Sequence, residues 1–246
     1  MANGFDPRAG AAPHTAQTAG RESVAFEAGL RSHMLSVYNY MASAVLLTGI
    51  VAYALAMSGV AETLFFGGGI LKYVILFAPL IMIFGLAARA SHMSIGGLQA
   101  FFWSFAVVMG ASMSVIPLVY NGTSIATTFF ATAASFVSLS LWGYTTKKDL
   151  SGMGTFLLMG LVGLVVAMIG NMFIRSDSLS MVISFVGVLL FAGLTAYDTQ
   201  KIKSIYFQIA GSADMLGRAA IMGALTLYLD FINMFQFLLS FLGSRD

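Results

Sequence analysis

Residues 223–243 read GALTLYLDFINMFQFLLSFLG, a stretch long enough to cross a bilayer with Asp230 in its middle. An ionised carboxylate at that depth costs several kcal/mol, roughly 2.5–3.5 on the mildest scale. Such a residue has to face protein or water, and it needs a partner. At ~100° per residue, Gly223, Thr226, Asp230, Asn233 and Ser240 share one helix face, with Leu225, Ile232 and Leu239 outside it. The last helix therefore carries a polar stripe, on which Thr226 and Asn233 are candidate site residues beside Asp230. That reading makes it the core of the protein, with the other segments wrapped around it.

Composition sets the class. Hydrophobic residues make up 59% of the 246 and charged residues 9%, whereas a soluble domain carries about 25% charge. The expected fold is an all-α membrane protein, and the length holds roughly six to eight spans. The absence of cysteine excludes disulfides and thiolate metal sites. His14, His33 and His92 lie outside the apolar runs, which argues against a histidine metal cluster in the membrane. A formal charge of +2 gives no footing for a nucleic-acid partner, and none is expected.

Residues 1–33, with Pro7, Pro13 and charges of both signs, have no sustained apolar period and are expected to form a mobile cytoplasmic tail that ends in an interfacial turn around Ser23–Leu30. Residues 34–246 then form a seven-helix transmembrane domain. Its runs are Leu35–Met57, Leu71–Ala88, Gly97–Tyr120, Ser124–Tyr144, Thr155–Ile174, Leu179–Tyr197 and Ala219–Leu242. Pro79 is expected to kink the second span, because it removes a backbone donor. Thr128, Thr132, Ser135 and Ser138 in the fourth read as small residues for helix packing. Trp103, Trp142, Tyr38, Tyr40, Tyr73, Tyr120 and Tyr144 read as anchors near span ends. The sixteen methionines read as adaptable packing.

Basic residues orient the chain. With the N-terminus in the cytoplasm and seven spans, Arg8, Arg21, Arg31, Arg89, Lys147, Lys148, Lys201, Lys203 and Arg218 fall inside. Lys72, Arg175 and Arg245 fall outside. The C-terminus is then outside.

Two carboxylates touch the apolar runs: Asp198, closing the sixth span, and Asp230 within the seventh. Asp230 lies ~11 residues, roughly 16 Å, past the start of its span. The two meet only if the sixth span reaches less far or the seventh begins inside the cytoplasm, and the amphipathic lead-in Asp214–Ala220 favours the second. Once together in low dielectric, they cannot both ionise cheaply, so the pair shares a proton and serves as a pH switch. Their hard oxygens also suit Ca²⁺, weakly and transiently, since two carboxylates are few for a calcium site. No resident cofactor is expected beyond that transient Ca²⁺. Arg89 closes the second span at the depth of Asp198. It either pairs with one of the aspartates and locks the bundle or snorkels to headgroups as a topology marker.

The segments YDTQKIK at 197–203 and LYLDFINMF at 227–235, with the KKDLS loop at 147–151 and the arginine after the second span, resemble the transmembrane Bax inhibitor motif family, bacterial type. The resemblance covers residues 30–246. It implies six helices around a central C-terminal seventh and a pH-sensitive calcium leak channel. Asp198 and Asp230 would be its hydrogen-bonded, proton-sensing and ion-binding dyad, and Arg89 its latch. It also implies a place in the bacterial inner membrane, the bilayer, Ca²⁺ and H⁺ as partners, and association of some members with a membrane protease. Similar eukaryotic proteins control calcium and cell death. Two features depart from the pattern: the loop from Lys203 to Gly223 is long, and the second span carries no acidic residue.

Three other classes fit less well. An intramembrane aspartyl protease has Tyr-Asp on one helix but GxGD on the next, where this chain has Leu227-Tyr228-Leu229-Asp230, and no PAL triplet follows. A retinal protein needs a lysine in the last span, and an intramembrane serine protease needs a histidine; both are absent. No enzyme is expected. A non-conducting scaffold or modulator of a membrane protease is the main alternative.

Overall fold

The computed structural model describes residues 12–244, with side chains from residue 24. Its elements are α1 (Ala12–Met57), α2 (Val60–Phe66), α3 (Leu71–Arg89), a 3-10 turn (Ala90–His92), α4 (Ile95–Met113), α5 (Ile116–Val119), α6 (Gly122–Thr145), α7 (Ser151–Ile174), α8 (Asp177–Ile209) and α9 (Ala213–Leu242). Among the described residues there is no strand, and seven helical segments are long and apolar enough to cross a bilayer. The chain is an all-α multi-pass membrane protein.

The first helix does not begin where the apolar run begins. Leu30, Met34, Val37, Met41, Ala44 and Val45 are buried at helical spacing, so α1 presents one continuous inner stripe from well before Leu35. Phe26 stacks edge-on to Tyr206 of α8, ring centroids 5.2 Å apart. The expected tail is therefore corrected for residues 24–33, which are part of the bundle; residues 1–11 lie outside those described. His33, read as a tail residue, is buried in α1 against the Tyr206 ring at 5.5 Å. Tyr38 and Tyr40 are correspondingly not span-end anchors. Tyr38 hydrogen-bonds Ser140 at 2.6 Å, and Tyr40 accepts from Gln99 Nε2 at 2.7 Å.

Other differences have local causes. Gly59, at φ 75°, takes the left-handed conformation that ends α1 and starts the short α2. The third span is broken between Met113 and Ile116, one residue before Pro117, which cannot donate into a continuing helix. By contrast, α3 runs unbroken through Pro79.

The largest difference is at the end of the chain. Beyond Tyr197 the sequence turns polar, but Thr199, Ile202 and Tyr206 keep the buried stripe going, and α8 continues to Ile209. Ser212 then caps α9 by accepting the Met215 N–H, with Asp214 in the first turn, where a negative charge suits the helix dipole. The segment from Lys203 to Gly223, expected as a long loop, is thus helix except at residues 210–212.

Helix α9 is the most buried of the seven spans. It packs chiefly on α8, α1, α6 and α4, while α3 lies on α4 and α7 on α8. Four helices hold α9 closely, and α3 and α7 flank it from outside. Glycine sets some approaches: a Cβ on Gly143 of α6 would stand 2.3 Å from the Ala196 carbonyl oxygen of α8. A Cβ on Gly163 of α7 would meet nothing within 4 Å. Gly143→Leu is accordingly expected to destabilise the detergent-solubilised protein by at least the ~1–3 kcal/mol typical of overpacking, and Gly163→Leu to leave its thermal midpoint nearly unchanged. Equal midpoints for both variants would contradict the α6–α8 packing.

Candidate functional site

The two long helices α8 and α9 form an antiparallel hairpin whose register is set by side-chain fit. Ser184 Oγ and Ser240 Oγ are hydrogen-bonded at 3.1 Å. Gly187 leaves room for the Phe237 ring, and Gly223 for Ile202. This register brings Asp198 and Asp230 side by side, with their carboxyl groups in hydrogen-bonding reach of each other. Because α8 runs past Asp198 and α9 starts early, the gap inferred from the shorter spans does not exist. Both groups are removed from lipid, Asp198 at 8% exposure and Asp230 at 4%. Oδ2 of Asp230 is fully buried and receives no N–H or hydroxyl donor among the described residues. Two adjoining acceptors in an apolar bundle cannot both carry charge cheaply.

Each residue around Asp198 in the 197–203 segment has a defined partner. The Tyr197 ring lies over Gly154 of α7, where a Cβ would come within 2.5 Å of its hydroxyl. Thr199 Oγ1 donates to the Thr195 carbonyl at 2.7 Å, and Ser140 lies 2.8 Å from the same hydroxyl. Each hydroxyl has one proton, so the chain has a direction: Tyr38 donates to Ser140, Ser140 to Thr199, and Thr199 to the backbone. Gln200 clamps the turn before α7, accepting the Leu150 N–H and donating to the Lys148 carbonyl, both at 2.8 Å. Lys201 sits 5.9 Å over the Tyr197 ring. Lys203 donates to the Tyr144 carbonyl at 2.7 Å and lies over that tyrosine's ring. In the turn itself, hydrogen bonds from Ser151 hold the Asp149 carboxyl below the usual carboxylate range.

A second polar node lies beside Asp230. Thr48 Oγ1 donates to the Ala106 carbonyl at 3.0 Å and stands 2.7 Å from the Tyr228 hydroxyl, so Tyr228 donates to Thr48. Tyr228 is wholly buried between the edges of Phe102 and Phe105. This node ties α9 to α1 and α4 two residues before Asp230.

The other expected site residues are placed differently. Thr226 and Asn233 turn back on their own helix, donating to Met222 and Leu229 carbonyls at 3.1 and 2.8 Å. Asn233 and Gln236 border two grooves: one of about 600 Å³ between α3, α4 and α9, the other of about 520 Å³ between α7, α8 and α9. Arg89 is exposed and makes no ion pair or hydrogen bond among the described residues. The latch contact to either aspartate is therefore not made here. Arg218 of α9 holds that end of α3 instead. Its guanidinium donates to the carbonyls of Ala90, at 2.8 Å, Ser91, at 3.3 Å, and Met93. These carbonyls lie just past the C-terminus of α3, at the negative end of its dipole. No cluster of three or more histidine, aspartate or glutamate side chains occurs among the described residues.

Arg218, Ser140 and Thr48 went unread in the sequence. Arg218 is one of many basic residues, and Ser140 and Thr48 are single hydroxyls in apolar runs. Only Gln200 carried a signal, through its place in YDTQKIK.

Residues 30–246 match the family model described as inhibitor of apoptosis-promoting Bax1. The chain is 46% identical to a protein of Rickettsia prowazekii over 220 residues, covering 89% of this chain and 92% of that one. It is 44% identical to a protein of Caulobacter vibrioides over 237 residues, covering 92% and 94%. It is 41% identical to the inner membrane protein YbhL of Escherichia coli over 219 residues, covering 89% and 94%.

Hydrogen bonds from a charged group contribute about 1.5–3 kcal/mol. Arg218→Ala should therefore speed amide exchange in residues 90–97 by an order of magnitude or more, with the α8–α9 hairpin unchanged. Unaltered exchange there would show that the arginine does not restrain the end of α3.

Proposed function

The chain belongs to the family of inhibitors of apoptosis-promoting Bax1, and from that premise we propose that it is a pH-sensitive calcium leak pathway gated by Asp198 and Asp230. The observation that carries the reading is the buried pair itself: two adjoining carboxyls, one with a sealed oxygen that no N–H or hydroxyl reaches. With one proton between them the pair closes the bundle. Without it, two like charges in low dielectric repel, and the arrangement favours separation, water or a cation. Ca²⁺ is here the cargo. Two carboxylates supply only part of the six to eight oxygens it takes, so admitted water completes the shell and residence is brief. The grooves bordered by Asn233 and Gln236 offer polar approaches to the stretch of α9 that holds Asp230.

Orientation in this reading follows the charge. Arg31, Arg89, Lys147, Lys148, Lys201, Lys203 and Arg218 gather at one end of the bundle, with Lys72 and Arg175 at the other. The basic end faces the cytoplasm of a bacterial cell, with the N-terminus inside, the C-terminus outside and the inner membrane as host. Arg218 restrains the end of α3 that Arg89 was expected to latch.

Aspartyl protease chemistry fits poorly. Leu227 and Tyr228, which precede Asp230, are wholly buried, and Tyr228 is bound to Thr48. No open backbone lies there for a substrate strand.

Asp230→Asn keeps the side-chain shape and removes the shared acidic proton. In proteoliposomes carrying the full chain, its calcium flux is expected to become flat across a pH series over which the wild type varies, with thermal stability retained. Wild-type flux behaviour in the variant would remove the dyad from the mechanism and leave a non-conducting scaffold or protease modulator as the better account.

A further inference from the structure

Helices α1 and α6 both pack on α9 but not closely on each other. A seam open to the hydrocarbon runs between them. It holds two cavities in line, about 390 Å³ toward the basic end and about 510 Å³ toward the other. The first is walled by Leu35 of α1 and by Val137 and Leu141 of α6, all largely exposed, with Tyr38 at its inner end. The Tyr38–Ser140 hydrogen bond crosses the seam.

The mouth of this cavity is charged. Arg31 lines it, exposed, and makes no ion pair or hydrogen bond among the described residues. Glu27, one turn earlier on the same helix, is not within ion-pair distance of it. Tyr144, another lining residue, is held by Lys203, which lies 4.9 Å over its ring and donates to its carbonyl. A guanidinium with no partner among the described residues thus stands at a slot whose walls are aliphatic. A neutral apolar molecule would leave the Arg31 charge unmatched, and a soluble anion would leave the slot unfilled.

We propose that this cleft is a binding site for one anionic phospholipid, its phosphate on Arg31 and one acyl chain along Leu35, Val137 and Leu141. Basic pockets between transmembrane helices recognise anionic headgroups in this way, and planar guanidinium suits phosphate. The site stands apart from the carboxylate pair and does not depend on its role. It places the lipid against the outer face of the Tyr38–Ser140–Thr199 chain, which ends one residue from Asp198.

The test uses the full chain in mild detergent, offered equal amounts of dioleoyl phosphatidylglycerol and dioleoyl phosphatidylcholine, with retained lipid read by native mass spectrometry. The wild type should favour phosphatidylglycerol by about fivefold, the factor that one basic group beside an anionic headgroup supplies. Arg31→Gln should abolish the preference, and Val137→Trp, which fills the slot, should lower retention of the bound lipid. Arg175→Gln, at the other end of the bundle, should change nothing. Equal retention of the two lipids by the wild type overturns the site. So does a preference that survives Arg31→Gln, or retention unaffected by Val137→Trp. Should Val137→Trp not fold as a wild-type-like species, Leu141→Trp on the same wall is read in its place.

Discussion

A carboxyl group cannot be left charged and alone inside an apolar bundle, and the arrangement of α8 and α9 follows from that restriction. The hydroxyls nearest the pair do not relieve it. Thr226 donates to Met222, Thr195 to Phe191, Thr199 to Thr195 and Tyr228 to Thr48. Each of these hydroxyls is committed to an acceptor other than the pair. Among hydrogen-bonding side chains Asp198 and Asp230 are left to each other, with Lys201 acting on Asp198 through its charge, and the hairpin register of α8 and α9 is what joins them.

That register is held from both sides. Toward α6 and α1, the directed chain of Tyr38, Ser140 and Thr199 fixes the α8 turn that carries Asp198. Toward α1 and α4, Tyr228 and Thr48 fix the α9 turn that carries Asp230. The tight contacts reinforce this, since Gly143 brings the α6 backbone onto Ala196, two residues before Asp198. Small residues at such crossings permit backbone approach without any hydrophobic force between helices in lipid. Two independent networks therefore position one pair, and neither supplies it with a hydrogen bond.

Much of this was legible in the sequence because membranes impose coarse rules. Seven spans followed from hydropathy, and the burial of Asp230 away from lipid from the expense of a mid-span charge. The helix ends did not, because hydropathy stops where the lipid stops. Thr199, Ile202 and Tyr206 continue α8 in a segment too polar to register as membrane, and Leu30 and His33 do the same for α1. Those unseen turns carry the geometry that decides whether the aspartates meet. Arg89 and Arg218 show the opposite limit. Spacing put Arg89 at the depth assigned to Asp198, but a side chain's partner depends on helix rotation, and the arginine that finds acceptors is the one on α9.

The flanking helices are not equivalent, and the difference bears on how a closed bundle opens. Both α3 and α7 bury little of their spans. Helix α7 is tied into the α8 motif, with Tyr197 on Gly154 and Gln200 clamping the turn before it, and Asn171 Nδ2 donates to Ser180 Oγ at 2.7 Å near the far end. Helix α3 packs on α4, and its polar tie to α9 is the Arg218 guanidinium at one end. The groove beneath α3 already reaches Leu229 and Asn233, on either side of Asp230. Displacing α7 would disturb the segment that positions Asp198, whereas displacing α3 would widen a groove beside Asp230 and leave the hairpin whole. If loss of the shared proton opens a path, the least costly movement is of α3 away from α9, with Arg218 as the restraint it must overcome.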